Sequence, residues 1–137
     1  EGGTATSGTA WAESHGETRT PLLLFGAGHV GRALVLALAP LPFRVRWIDS
    51  RPDAFPAAMP ANVEPARARA PDAEVTAAPA GAFVLVMTHD HSLDLAITAA
   101  ALARPDLPFV GLIGSATKRA RFERRFRALG LPPERVG

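Results

Sequence analysis

The chain has 137 residues, the size of a single domain, with 47% apolar residues and a formal net charge of +2. It contains no cysteine, which excludes disulfides, thiolate catalysis and cysteine-bound metal within this chain. Lys118 is the only lysine and tyrosine is absent, so a basic isoelectric point follows from arginine alone and is poor evidence for nucleic-acid binding. No segment approaches the roughly 20 apolar residues of a membrane span, and the start lacks the charged-then-apolar layout of a signal peptide. A cytoplasmic protein is expected.

Residues 1–19 are Gly/Thr/Ser-rich and read as a leader or linker; residues 20–137 form the domain. The run from Pro21 to Phe25 is continuously apolar, as in a strand covered on both faces. A helix is predicted from about His29 to Ala39, with Val30, Leu34, Ala37/Leu38 and Leu41 as its apolar stripe. Pro40 and Pro42 stop it. A second strand runs from Phe43 to Ile48 and leads into Asp49-Ser50-Arg51; a Pro/Ala-rich loop follows to Asn62. A short third strand is placed within Val63–Arg69, then a connection from Pro71 to Gly81 that holds a helical turn. Ala82 to Met87 is a buried strand. A helix from about Ser92 to Ala103 follows, with Asp90 as its N-cap and Leu93, Ala96/Ile97 and Ala100 facing inward. Phe109 to Ile113 is the fifth strand, and Gly114-Ser115 opens a last helix. There Phe122, Phe126 and Leu129 share the inner face and Arg121, Arg124 and Arg127 the outer one; Gly130 ends the helix.

This alternation predicts an α/β fold: a Rossmann-like, doubly wound parallel sheet of about five strands in the order 3-2-1-4-5, with helices on both faces. Right-handed crossovers bring the strand ends to one rim. Three distant segments then meet where the order reverses: the loop after the first strand, His89-Asp90-His91, and Gly114-Ser115.

The first of these, Gly26-Ala27-Gly28-His29-Val30-Gly31, is a G-x-G-x-x-G loop between strand and helix. Gly26 permits the turn, Gly28 lets a phosphate approach the backbone, and Gly31 lets the helix lie close on the strand. The unpaired N–H groups of the first helical turn and the positive end of the helix dipole favour an anion. Asp49 stands eighteen residues after Gly31, placed to accept hydrogen bonds from a ribose. Arg51 beside it offers an alternative, a 2′-phosphate. His29 either contacts the ligand or caps a local turn. Thr88, His89 and His91 line the crevice opposite the glycine loop. The i, i+2 spacing of His89 and His91 splays them at a helix start, so no metal site is assigned. Ser115 and Lys118 follow Gly114 at the next strand-to-helix junction and suit an anionic headgroup. Six basic residues lie between Lys118 and Arg127 with no interleaved exposed aromatics, which reads as a solvated face or a protein-docking face rather than a nucleic-acid surface. No catalytic constellation is present.

Three segments together resemble one family: Leu-Leu-Phe-Gly-Ala-Gly-His-Val-Gly-Arg-Ala-Leu (23–34), Met-Thr-His-Asp-His-Ser-Leu-Asp (87–94) and Gly-Leu-Ile-Gly-Ser-Ala-Thr-Lys-Arg-Ala-Arg-Phe (111–122). The set is similar to the C-terminal Rossmann-like domain of the xanthine dehydrogenase accessory proteins, the XdhC/CoxI family. The resemblance implies a chaperone that binds the pterin-based molybdenum cofactor (molybdopterin) and delivers it to apo xanthine dehydrogenase, with a cysteine desulfurase as sulfur donor. Members carry a further N-terminal domain with a cysteine, which this chain lacks. The alternatives are an NAD(P)-dependent oxidoreductase and a nucleotide-sensing module, either of which uses the same loop. A homo-oligomer is possible; no membrane or nucleic-acid partner is expected.

Overall fold

The computed structural model describes residues 19–51, 53–113 and 116–130, with the backbone alone over 116–119. Residues 1–18 of the leader predicted over 1–19, and Gly114 and Ser115, lie outside the described residues. Five parallel strands make one sheet in the order β3-β2-β1-β4-β5, as the sequence predicts. They are β1 (Thr20–Phe25), β2 (Phe43–Asp49), β3 (Val63–Arg67), β4 (Phe83–Val86) and β5 (Phe109–Leu112). The helices are α1 (His29–Leu38), α2 (Pro71–Ala77), α3 (His91–Leu102) and α4 (Ala116–Ala128). Among the described residues, no helix is long and apolar enough to cross a membrane.

The central strand is buried because both of its faces are covered. Leu22 and Leu24 point to one side with Val35, Leu38, Val45 and Trp47. Leu23 and Phe25 point to the other with Ile48, Val75, Val84, Val86 and Ile97. Each face removes several large side chains from water, at about 1.5–3 kcal/mol apiece, so the two-sided core holds β1 rigidly under the glycine loop. The outer edge strand β3 carries Glu64, Pro65 and Arg67, charges and a missing N–H that discourage further strand pairing.

The connection after β3 holds a full seven-residue helix, more than the single turn expected of it. Pro71 sits in its first turn, where no N–H is needed, and Asp72 and Glu74 favour the dipole. Buried Arg46 of β2 donates to Glu74 at 2.8 Å, and Arg104 donates to the Val75 and Ala78 carbonyls at the helix end. α2 is thus held through side chains that local periodicity does not reveal.

The apolar stripe of α1 needs correcting. Gly31, Val35 and Leu38 face the sheet, whereas Val30 is 56% exposed and Leu41 44%. The helix is apolar nearly all round, so the sequence offers two stripes, and close packing at Gly31 selects the one that contains the glycine. In α4, Phe122 and Phe126 are buried as expected, but Leu129 is exposed. Gly130 takes the positive φ of +84° that a helix-terminating residue needs.

Candidate functional site

The glycine loop is built by three contacts that leave no room for side chains. Gly26 has φ +114°, and a Cβ there would lie 2.4 Å from the Met87 carbonyl oxygen. A Cβ on Gly31 would lie 2.3 Å from the Gly26 carbonyl oxygen, so the helix rests on the turn itself. The Trp47 indole Nε1–H donates to that same carbonyl at 2.9 Å. The Gly26 N–H donates to Ile48 and the Met87 N–H to Phe25, tying the turn to its neighbours on either side. Gly26 and Gly31 therefore have structural duties.

Gly28 differs. Its φ of −85° suits any residue. Its bare face is turned to the His89 ring, whose Nε2 would lie 3.0 Å from a Cβ. Gly28 is the N-cap of α1 and has no side chain to cap it with; the first turn of the helix holds no acidic residue. The N-terminal amides of α1 keep the partial positive charge of a helix start that no acidic residue of its first turn offsets. His29 and Val30, which open the helix, are exposed.

Asp49 ends β2 where the sequence places it, yet its carboxylate is turned inward and is 8% exposed. Its Oδ2 accepts from the Ala27 N–H at 2.9 Å and from Arg51 Nη2 at 3.0 Å; its Oδ1 accepts from the Arg51 N–H at 2.9 Å and Nε at 3.0 Å. Burial pushes this carboxyl up, but the hydrogen bonds from Arg51 and Ala27 and the guanidinium charge outweigh it. They hold Asp49 below its ordinary 3.8. The same bonds and charge raise Arg51. Asp49 is thus a clasp between β2 and the glycine loop, with its acceptor sites already used.

The third wall comes from the end of β4. Asp90 caps α3, its Oδ1 accepting from the Leu93 N–H at 3.1 Å. Asp94, fully buried, accepts from the Thr88 N–H at 3.0 Å and from the Thr88 hydroxyl. This inward role was hidden in the sequence, where an acid in the first turn of a helix reads as a dipole contact. His89 and His91 are exposed.

A cavity of about 240 Å³ opens between the ends of β1, β2 and β4 and the starts of α2 and α3. Its floor is Phe25, Ile48, Pro71 and Leu93; its polar rim is Asp49, Ser50, Arg51, Thr88, His89 and Asp90. It lies on the side of the sheet covered by α2 and α3, across β1 from α1. His89 is the side chain that both lines the cavity and meets Gly28. Arg51, Thr88 and His89 come together as the sequence suggests. Ser50, Pro71 and Leu93 were not foreseen, because the cavity was expected closer to the glycine loop. Lys118 falls in α4, but its side chain, like Gly114 and Ser115, lies outside the described residues.

The model of the XdhC Rossmann domain matches residues 22–137, most of the chain. The chain belongs to this family. Comparison with curated protein sequences gives no match. Among solved structures, the XdhC domain is similar to a protein from Bacillus halodurans described as a xanthine dehydrogenase. That likeness has a TM-score of 0.66 and 24% identity over 77% of this chain and 33% of the other. The chain therefore spans about a third of that relative's length. It is also similar to the NAD(P)-binding domain of an exopolyphosphatase-related protein from Archaeoglobus fulgidus, with a TM-score of 0.61 and 19% identity over 77% and 82% of the two chains. Uronate dehydrogenase from Agrobacterium tumefaciens gives 0.52 and 25% over 71% and 41%. At these identities the likenesses concern the fold.

Proposed function

We propose that this XdhC domain holds a phosphorylated cofactor, the pterin-based molybdenum cofactor, as an accessory protein to a xanthine dehydrogenase-type molybdoenzyme. The single observation that carries the reading is the start of α1, an uncapped helix N-terminus behind a glycine-bare turn, with a cavity of apolar floor and polar rim across β1 from it and His89 between the two. Family membership supplies the biological setting.

The residues fit such a group in two parts. The amides of His29, Val30 and Gly31 take the terminal phosphate, or the pyrophosphate of a dinucleotide form, at the positive end of the helix. The flat ring system lies over Phe25, Ile48 and Leu93, with Ser50, Thr88 and His89 as polar partners at the rim. The bound cofactor supplies the molybdenum chemistry to its target enzyme. The chain has no cysteine, so it grips the organic part of the cofactor rather than the metal through thiolate. Partners in this reading are the apo-enzyme, which receives the cofactor, and a cysteine desulfurase, which supplies sulfur. No residue of this chain is assigned a catalytic step.

A second reading, an NAD(P)-binding module, rests on the same loop and on the fold likeness to an NAD(P)-binding domain. The Asp49–Arg51 clasp weighs against a dinucleotide read through its ribose hydroxyls, because the carboxylate already has four donors. Equilibrium titration with molybdopterin, NAD(H) and NADP(H) separates the two. Saturable binding of molybdopterin with weak or no response to the nicotinamide cofactors supports the chaperone. Tight NAD(P)H binding without molybdopterin binding overturns it.

A further inference from the structure

The cavity between β2 and β4 has room for one part of a ligand. At about 240 Å³ it is smaller than the roughly 300–1,000 Å³ of pockets that enclose a whole small molecule. Its apolar floor, Phe25, Ile48, Pro71 and Leu93, suits a flat ring system. Its rim does not suit a phosphate. Asp49 and Asp90 are both carboxylates, and Arg51, the guanidinium beside them, is already paired with Asp49. The part that enters is therefore an uncharged ring, and the polar rim meets its edge.

The two rim carboxylates differ in what they have left to offer. Asp49 already accepts four hydrogen bonds. Asp90 uses its Oδ1 to accept from the Leu93 N–H at 3.1 Å, while its Oδ2 has no partner among the described residues. The backbone of Asp90 is held too. Its carbonyl accepts from the Asp94 N–H at 2.8 Å, and its N–H donates to the Thr88 hydroxyl at 3.2 Å. One carboxylate oxygen thus fixes the other on the cavity rim, as an acceptor with two lone pairs and nothing to donate. Across the cavity, Arg51 turns its Nε–Nη2 edge to Asp49, so its remaining amino group, Nη1, points away from that carboxylate with its donors unspent.

A fixed acceptor favours a ring edge on which two N–H donors stand side by side. The 2-amino-4-oxopyrimidine edge has this arrangement: a ring N–H next to an exocyclic amino group, with a carbonyl on the far side for a donor such as Arg51. Pterins and guanine share that edge. Adenine presents its amino group between two ring lone pairs, which oppose a carboxylate. We propose that Asp90 selects the ligand's ring by accepting from the 2-amino-4-oxopyrimidine edge of a ring seated in this cavity.

The inference deepens the proposed function and rests on it for a ring-bearing ligand. The test therefore uses rings without a phosphate, which the start of α1 takes no part in holding. Biopterin, guanosine and adenosine are titrated against the 137-residue protein by ligand-observed NMR up to about 1 mM, the affinity range of ligands this small. Biopterin or guanosine binds saturably, and adenosine at least about 10-fold more weakly. The tighter of the first two tells the source of the edge: the pterin of the cofactor itself, or the base of a guanine dinucleotide form. Asp90→Asn keeps an oxygen for the Leu93 N–H, and asparagine caps helices as well as aspartate, so urea unfolding changes little. It puts an amino donor where Oδ2 stood. Affinity for biopterin and guanosine then falls at least about 10-fold, and that for adenosine does not. Three results overturn the inference: affinity indifferent to Asp90→Asn, adenosine binding as tightly as the other two, or no binding of either ring. Each leaves the phosphate anchor at α1 standing. That anchor fails separately, when molybdopterin binds no more tightly than biopterin.

Discussion

Two helices begin side by side at the rim of the sheet, and they begin differently. α3 is closed by its own residues: Asp90 caps it, and Asp94 turns inward to hold Thr88. α1 is left open: glycine at the cap, no capping side chain, no acid in the first turn. Both follow buried parallel strands and both carry a helix dipole, so fold alone does not explain the difference. One end satisfies its amides internally and anchors the rim. The other carries no such cap, and the proposed reading gives its amides to the phosphate of a ligand. A helix N-terminus is common; one left uncapped, with a capped neighbour for contrast, is the feature on which the proposed anionic ligand rests.

The comparison can be broken at the turn beneath α1. Gly26→Ala puts a Cβ into the Met87 carbonyl at a φ of +114°. A loss of about 4 kcal/mol or more in urea unfolding is expected, or failure to fold. A mild effect would mean the turn is looser than described.

The clasp between β2 and the loop gives the next effect. Asp49→Asn should cost about 1–3 kcal/mol near neutral pH, as for buried hydrogen bonds to a charged group. Because the Asp49 carboxyl is held below 3.8, its stabilisation is present in full above about pH 5 and is lost as pH falls through the lowered value. The gap in Tm between wild type and variant should therefore close in acid. A gap independent of pH would remove the ionised clasp from the description.

The smallest effect comes from the closed helix. Asp90→Ala should cost about 1 kcal/mol in urea unfolding, the usual worth of an N-cap. No loss of stability would mean that Asp90 does not cap α3.

Much of this was legible in the sequence. Buried parallel strands announce themselves as unbroken apolar runs, and turn residues separate them, so the sheet order followed from chain topology. Asp90 as a cap and Gly130 as a terminator followed from local backbone needs. Features that depend on which way a side chain turns were not legible. Asp49 and Asp94 are both acids at strand or helix ends, where solvent or ligand contact is the simple expectation; each instead turns inward to backbone N–H groups. The direction of α1 was hidden because both of its candidate stripes are apolar. Gly28 was read as room for phosphate, and the structure adds that His89 already stands against that face.

The most direct measurement is the effect of Gly28→Asp on stability and binding together. The φ of −85° accepts a side chain, and exposed His89 can move aside. An aspartate at this position caps α1 from within the chain and repels a phosphate, making α1 resemble α3. Stability by thermal unfolding should be unchanged or slightly higher, while titration with the phosphorylated cofactor should show affinity lost by at least about 100-fold, the two or more charge-assisted hydrogen bonds removed. A folded Gly28→Asp protein that binds as tightly as wild type would contradict the claim that the open end of α1 is the ligand's anchor.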